Sequence, residues 1–318
     1  MSADALGNVL ALLVLIAVGF GISGCGWFGA EGGAFLSKLV MKVTLPCFLA
    51  NNIYTAFNSR EELITVVVNL PMPFVLLAFM LAFGTVICRL ARVPAGRQGV
   101  FINAFTFGNS VVVGFPVTAA LLGSEAVPYA MIYYMANTIT FWSIGVYLLR
   151  RDGGERTKLF SLASLRKIIS LPILALVVGV GLVLTGIRLP TVIASPLQSL
   201  GAATTPLAML FIGHVIRHAD LRTLALSRDL LLVLFSRFLL SPLTAAAVCL
   251  LLPMEPVMCR VVLIMSIMPA MTQLSVVARE SGSDYEYACV LVAITSILSM
   301  CLVPVLAFVL DTFALFSG

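Results

Sequence analysis

The stretch that decides the fold runs from Gln98 to Ser124 and reads QGVFINAFTFGNSVVVGFPVTAALLGS. It carries no charge and is long enough to cross a bilayer, because about 20 apolar residues span the hydrocarbon. A simple anchor would not carry FGNSVVVGFP at its centre, where Pro116 removes a backbone donor and two glycines relax the helix. Broken backbone at membrane depth is tolerated where protein or water satisfies the freed groups, and in transporters that place is usually the substrate site. The stretch therefore predicts a broken membrane helix at the substrate site of a transporter.

Composition places the whole chain in the membrane. Of its 318 residues, 61% are hydrophobic and 10% are charged, against about 25% charged in soluble domains. Apolar runs occupy 5–30, 43–59, 63–88, 98–124, 126–149, 168–187, 189–216, about 230–252, 261–278 and 287–310. These runs predict ten transmembrane helices, which consume most of the chain and leave no room for a soluble domain.

The basic residues set the predicted orientation. With the N-terminus outside, the inward-facing segments hold all of the 19 Lys and Arg residues except Arg60, Arg188, Arg237 and Arg260. The positive-inside rule therefore predicts a multi-pass protein of the plasma (inner) membrane with both termini outside. The net charge of +5 follows from this bias, so no nucleic-acid partner is expected.

The basic segment 151–167 is predicted to be a cytoplasmic loop between two five-helix halves, 1–150 and 168–318. LLGSEAVPYAMIYY (121–134) aligns with ESGSDYEYACVLVA (280–293), sharing a Gly-Ser-acid triplet and a Tyr-Ala pair. Because five is an odd number, the second half must be inserted upside down relative to the first. Inverted repeats of this kind are typical of secondary transporters.

The repeat comparison also locates a second broken helix. Extending the alignment backwards sets Gly108 against Ile267 in SIMPAMTQLS, and both stretches combine a helix breaker with an amide side chain. Two crossed broken helices would bring together half-helix N-termini, which suit a carboxylate, and freed carbonyls, which suit a cation. The alternative is that these residues only kink and pack the helices. The candidate substrate-binding residues are Gly108, Asn109, Ser110, Thr272 and Gln273, and the candidate break residues are Pro46, Gly114, Pro116, Pro206 and Pro269.

Four motifs resemble the auxin efflux carrier family, whose bacterial members are associated with organic acids such as malate and malonate and whose plant members export auxin. The motifs are LSKLVMKVTLPCFL (36–49), FGNSVVVGFP (107–116), LGAATTPLAMLFIG (200–213) and the run from IMPAMTQ to ARESG (267–282). The resemblance implies an all-α fold of ten helices in two inverted five-helix repeats, with crossed broken helices 4 and 9. That fold is similar to the one of bile-acid symporters and sodium/proton antiporters. It also implies a scaffold domain of helices 1, 2, 6 and 7 and a transport domain of the other helices.

Two expectations about the breaks follow from this resemblance. Asn109 would be a carboxylate-binding residue, and Pro116 would form part of the crossover of helix 4. The plant carriers have a second proline in helix 9 where this chain has Ser275. The break in helix 9 is therefore expected to rest on Pro269 alone and to be milder than that in helix 4.

Charged and amide side chains in the spans leave several roles open. Glu280 and Asp284, at the inner end of helix 9, are the best carboxylates for coupling H⁺ or Na⁺, unless Glu280 simply pairs with a neighbouring arginine. Arg237 lies deep in a span, where it pairs with a carboxylate, helps an anion to enter or contacts a neighbouring helix. Asn137 and Thr138 in helix 5 either line a vestibule or form bonds between helices.

Histidines and cysteines predict neither a cofactor nor a metal site. His214 and His218 share a helix face but lack the Glu of a metalloprotease signature, and no further ligand is evident. The seven cysteines are scattered without a C-x-x-C. The chain also has no G-x-S-x-G and no paired buried carboxylates, so an enzyme is not expected.

The sequence thus predicts a secondary active transporter of a small organic anion, of the malate, malonate or auxin type, that works by elevator-type alternating access. The alternatives are an ion- or ligand-gated channel or receptor on the same scaffold, and a sodium-coupled symporter of the bile-acid type. The expected partners are the anion, the lipid bilayer, H⁺ or Na⁺ as a coupling ion, and a second copy of the chain in a homodimer through the scaffold.

Overall fold

A computed structural model describes residues 3–28, 31–57, 60–154, 171–218, 227–252 and 254–312. Apart from one isolated β-bridge, every regular element in these residues is a helix, so the expected all-α class is confirmed. The helices are α1 (Ala3–Gly24), α2 (Gly32–Ala56), α3 (Arg60–Leu90), α4a (Gln98–Thr106), α4b (Ser110–Leu122), α5 (127–152), α6 (Leu171–Thr185), α7 (Thr191–His218), α8 (Arg228–Leu251), α9a (Pro256–Ser266), α9b (Gln273–Glu280) and α10 (Tyr285–Thr312). Most of the basic loop expected at 151–167 lies outside the described residues.

The helices are those of a multi-pass membrane protein. Within the described residues, α2, α3, α7, α8 and α10 each contain a stretch that is long and apolar enough to cross a bilayer. Shorter apolar stretches lie in α1, α4b, α6 and α9a. Many large apolar side chains of α3 and α6 are exposed, as expected for helices that face lipid.

Three prolines modify their helices in the same way. Pro46 in α2, Pro116 in α4b and Pro242 in α8 each follow closely on a five-residue π-helical segment. Because proline has no N–H, it cannot bond to the carbonyl four residues earlier, and a wider turn absorbs the defect. Pro46 therefore loosens α2 without interrupting it, and Pro206 likewise lies within the apolar span of α7.

One set of helices packs unusually closely. α1 lies along α7, and α2 contacts both α6 and α7; α1, α2, α6 and α7 are named the panel below. A Cβ atom at Gly19 would collide with the backbone of Leu210, and one at Gly213 with the backbone of Ile16. The backbones of α1 and α7 are therefore in direct contact, as small residues allow between membrane helices.

The remaining helices enclose the two interrupted ones. Every residue of α4a from Gly99 to Thr106 is buried, and so is every residue of α9a from Val261 to Ser266. α4a packs against α3, α5, α8 and α10, and α9a packs against α5 and α8. The two breaks consequently lie in the interior of the helix bundle.

Candidate functional site

The breaks in α4 and α9 lie against each other. Residues 107–109 separate the halves of α4, and residues 267–272 separate those of α9. Gly108 and Ala270 form an antiparallel β-bridge, the only one in the described residues. We name this contact the crossing. The repeat alignment had set Gly108 against Ile267, so the pairing in the structure is shifted along α9.

Two backbone hydrogen bonds hold the crossing. The N–H of Asn109 donates to the carbonyl of Pro269 at 2.7 Å, and the N–H of Met271 donates to that of Phe107 at 3.3 Å. Each break thus donates one backbone hydrogen bond to the other break and accepts one from it. Backbone groups that could not reach water at this depth are satisfied by the other broken helix.

Glycines lie where the two broken helices approach each other. A Cβ atom at Gly108 would lie 3.4 Å from the carbonyl oxygen of Met265 and 3.4 Å from the Cβ of Met268. One at Gly114 would lie 2.6 Å from the sulfur of Met265. Both predicted break glycines therefore permit α9a to pack closely against α4.

The expectation that α9 has the milder break is wrong. Its unwound segment is longer than that of α4, although it contains the single proline Pro269. Proline disfavours the helical conformation at the preceding residue, Met268. Beyond it, the N–H of Ala270 donates to the hydroxyl of Thr295 at 3.0 Å, and the next N–H is used in the crossing. Bonds to other helices thus delay the start of α9b until Gln273.

Pro116 lies outside the break of α4. Its helical segment begins at Phe115, whereas the unwound residues are 107–109. The π-helical segment between them ends at Gly114. The break therefore depends on Gly108 and Asn109, and Pro116 shapes the first turns of α4b.

Side chains of α5 and α10 satisfy other carbonyls at the breaks. The amide nitrogen of Asn137 donates to the carbonyl of Gly108 at 3.0 Å, and the hydroxyl of Ser299 donates to that of Ile267 at 2.9 Å. Asn137 therefore forms a bond between helices, one of the two roles that the sequence left open.

Thr295 and Ser299 were not predicted to support the breaks. The repeat alignment contains a signal for Thr295, which follows Tyr287 at the spacing by which Asn137 follows Tyr129. Both side chains support a break, but one donates to a carbonyl and the other accepts from an N–H. Ser299 has no comparable signal in the alignment.

Asn109 closes the N-terminus of α4b and keeps a free donor. Its side-chain oxygen accepts from the N–H of Val112 at 3.1 Å, and its main-chain oxygen accepts from that of Gly114 at 3.0 Å. The side chain is 3% exposed, and its amide nitrogen has no hydrogen-bond partner. Ser110 is buried beside it, with its hydroxyl 3.5 Å from the amide nitrogen of Asn137.

The N-terminus of α9b has a different environment. Thr272 precedes the helix and Gln273 begins it, and no side chain caps it. Both residues are half-buried and line a cavity of about 270 Å³ between α9b, α10, α4b and the panel helices α2 and α7. Ser37 and Ser275 complete the polar lining, and no charged side chain of the described residues contributes to it.

The two candidate coupling carboxylates lie away from the crossing. Asp284 accepts a hydrogen bond from Nε of Arg97 at 2.5 Å, and its other oxygen accepts from the N–H of Tyr287 at 3.0 Å, which caps α10. Glu280 is exposed at the far end of α9b. The helix rise places it roughly 10 Å along the axis from Gln273.

His214 connects helices of the panel. Nδ1 of His214 in α7 lies 2.9 Å from the hydroxyl of Ser23 in α1, and its ring packs against Gly33 of α2. His218 lies 3.0 Å from the carbonyl of His214. In the part of the chain that the structure describes, no group of three or more His, Cys, Asp or Glu could hold a metal ion.

The arrangement offers hydrogen-bond donors to an anion. The uncapped start of α9b carries partial positive charge and faces a cavity that both polar and apolar side chains line. The apolar lining comes from Met41, Val112, Phe211, Val215, Val276 and Val292. The cavity therefore combines hydrogen-bond donors with apolar contact surface.

Comparison with known proteins shows similarity to membrane transporters. A family model described as membrane transport protein matches residues 4–307. An uncharacterized transporter of Methanothermobacter thermautotrophicus is 28% identical over 308 residues, which cover 95% of this chain and 97% of the relative. An uncharacterized transporter of Methanocaldococcus jannaschii is 24% identical over 310 residues, with 95% and 97% of the two chains covered.

Proposed function

The chain belongs to the membrane transport protein family, that of the auxin efflux carriers, as its motifs indicated, and we propose that it is a secondary active transporter of small organic anions. The observation that carries the proposal is the uncapped N-terminus of α9b, which opens on the cavity next to the crossing. Malate, malonate and auxin-like monocarboxylates are the substrates to test first.

Amide donors and backbone N–H groups would bind the carboxylate. Gln273 and Thr272 line the cavity, and the backbone at the start of α9b adds donors with partial positive charge. The free amide nitrogen of Asn109 lies one turn before Val112, which lines the same cavity. Gly108 and Ser110 hold the backbone that positions it.

The position of the cavity supports an elevator mechanism. On one side lie α2 and α7 of the tightly packed panel, and on the other lie α4b, α9b and α10. If the panel is the static scaffold, movement of the other helices would carry the crossing and its bound anion across the membrane. The apolar cavity lining offers a surface along which such a movement can occur.

The proposal includes ten spanning helices in two inverted repeats, with both termini on the outer side of the inner membrane. Single cysteines at Arg151 and Arg188, both exposed, would report the orientation in a background without the exposed cysteines Cys25, Cys289 and Cys301. An impermeant thiol reagent on intact cells should label position 188 and spare position 151. The reverse pattern would contradict the orientation.

For the alternative of a transporter that is coupled to H⁺ or Na⁺, Glu280 and Asp284 are the proposed coupling groups. A homodimer through the panel is a further proposal. Light scattering of the purified protein at several detergent concentrations would measure the mass of the complex. A monomeric mass at every concentration would contradict the dimer.

Substrate counterflow in proteoliposomes tests the proposed function. Vesicles loaded with unlabelled malate, malonate or indole-3-acetate should accumulate the labelled form of at least one of them transiently. A channel on the same scaffold would show flux without counterflow, because a pore does not alternate. Protein-free vesicles are the control.

A further inference from the structure

Arg237 is the largest side chain that is completely buried. It lies in the π-helical segment of α8, and its Nη1 donates to the carbonyl of Thr106, the last residue of α4a, at 3.2 Å. The neighbouring Ser236 donates from its hydroxyl to the carbonyl of Phe105 at 3.4 Å. α8 therefore covers the C-terminal end of α4a, and it does so with a full positive charge, because arginine stays protonated in proteins.

No carboxylate neutralises this charge in the part of the chain that the structure describes. Nε and Nη2 of Arg237 have no hydrogen-bond partner. The described acidic residues of the spans lie at helix ends, as Asp229 and Glu255 do in the segments on either side. The sequence left three roles open for Arg237. Pairing with a carboxylate, the first of them, does not occur within the described residues.

The C-terminal ends of α4a and α9a accept hydrogen bonds from different kinds of side chain. The end of α4a receives the guanidinium of Arg237, whereas the end of α9a receives the neutral hydroxyl of Ser299 at Ile267. A helix end carries roughly half a unit of charge, positive at the N-terminus and negative at the C-terminus. The two N-termini and two C-termini of the broken helices therefore nearly cancel. Arg237 leaves the crossing with an excess of about one positive charge.

We propose that Arg237 is a positioning residue that gives the crossing its selectivity for an anion over an inorganic cation. This inference rests on the proposed transport of organic anions. Nη1 of Arg237 lies 3.7 Å from the position of a Cβ atom on Gly108, next to Asn109 with its free amide donor. The fixed charge would act through this segment on the bound carboxylate. Transport should then require no Na⁺, and the charge moved should equal that of the anion.

Three variants separate the charge of Arg237 from its hydrogen bond. Arg237→Lys keeps a charge and a donor, Arg237→Gln keeps a donor without the charge, and Ser236→Ala removes the adjacent bond to the same helix end. The substrate is malate, malonate or indole-3-acetate, whichever the wild type carries. Its uptake is measured in proteoliposomes. We expect Arg237→Gln to raise KM about 10- to 30-fold, with a smaller effect on kcat. Arg237→Lys and Ser236→Ala should stay close to the wild type.

Two measurements on the wild type do not depend on the folding of a variant. Uptake should be unchanged when choline replaces Na⁺, and the charge moved per substrate should equal the charge of the anion. Na⁺-dependent or electroneutral uptake would overturn the proposal, and so would an Arg237→Gln variant that folds and keeps the KM of Ser236→Ala. If the wild type carries none of the three probes, the proposed function fails and this inference fails with it. If the wild type carries one and Arg237→Gln behaves as Ser236→Ala does, only the inference fails.

Discussion

The breaks in α4 and α9 meet in one β-bridge but have different surroundings. The break in α4 is short and buried, and the half-helix that follows it is capped by Asn109. The break in α9 is longer, contains Pro269, and leads to an uncapped half-helix that faces the cavity. One break thus fixes the geometry of the crossing, while the other leads to a helix start that no side chain caps and that faces the cavity.

The helices that support the breaks differ in the same way. Arg237 and Asn137 bring a charge and an amide donor to the break in α4, whereas Thr295 and Ser299 bring only hydroxyl groups to that in α9. Two chain segments can therefore share a crossing without sharing the side chains that stabilise it. Variants at corresponding positions should consequently have unequal effects.

The largest effect is expected at the bridge itself. Gly108→Val would push methyl groups towards the carbonyl of Met265 and the side chain of Met268, so it should destabilise the protein by about 1–3 kcal/mol and abolish transport. The matched change Ala270→Gly removes one buried methyl group and should cost about 1 kcal/mol. Unfolding in detergent and counterflow measure both effects. Equal effects of the two variants would mean that the bridge is not tightest on the α4 side.

The next pair of variants distinguishes a side chain that caps a helix from one that only binds the substrate. Gln273→Ala should lower substrate affinity roughly 5- to 150-fold without changing stability, because it removes a cavity donor that caps no helix. Asn109→Ala should lower affinity over the same range and also cost about 1 kcal/mol of stability, because the cap of α4b is lost. Binding isotherms and unfolding curves of both variants test this. Normal affinity of Gln273→Ala would show that α9b does not bind the substrate. Normal transport by Asn109→Ala would show that Asn109 does not bind it.

A smaller difference is expected between the supporting side chains. Thr295→Val leaves the buried N–H of Ala270 without its acceptor and should cost about 1–3 kcal/mol. Asn137→Leu should cost less, because the carbonyl of Gly108 still accepts from the N–H of Ser110 and the unpartnered oxygen of Asn137 disappears. Unfolding of the two variants under identical conditions gives the order. If Asn137→Leu were the less stable, the amide would matter more than these contacts indicate.

The smallest effects are expected at the candidate coupling carboxylates. Asp284→Asn weakens the partly exposed ion pair with Arg97, and pairs of this kind contribute about 0–1 kcal/mol. Glu280→Gln changes an exposed residue that does not line the cavity. Both variants should carry substrate at rates close to that of the wild type, with or without a Na⁺ or pH gradient. If either variant abolished an ion dependence of the wild type, that carboxylate would be a coupling group.

The sequence predicted the existence of the crossing better than its details. The apolar runs predicted the membrane class, the four motifs predicted the family, and the FGNSVVVGFP and SIMPAMTQLS stretches predicted two broken helices. The lengths of the breaks could not be predicted, because they depend on bonds to other helices: Thr295 prolongs the break in α9, and Asn109 ends that in α4. The roles of Arg237 and Asn137 stayed open for the same reason, since their partners lie far away in the chain.

The most direct test of the account is protection of the cavity by substrate. Val276 lines the cavity and is 57% exposed, and Val178 on α6 is also 57% exposed but lies outside the cavity. Each is changed to cysteine in a background without Cys25, Cys289 and Cys301 and labelled with N-ethylmaleimide in detergent solution. A transported carboxylate should slow labelling at position 276 several-fold and have no effect at position 178. An unchanged rate at position 276 with saturating carboxylate would contradict it.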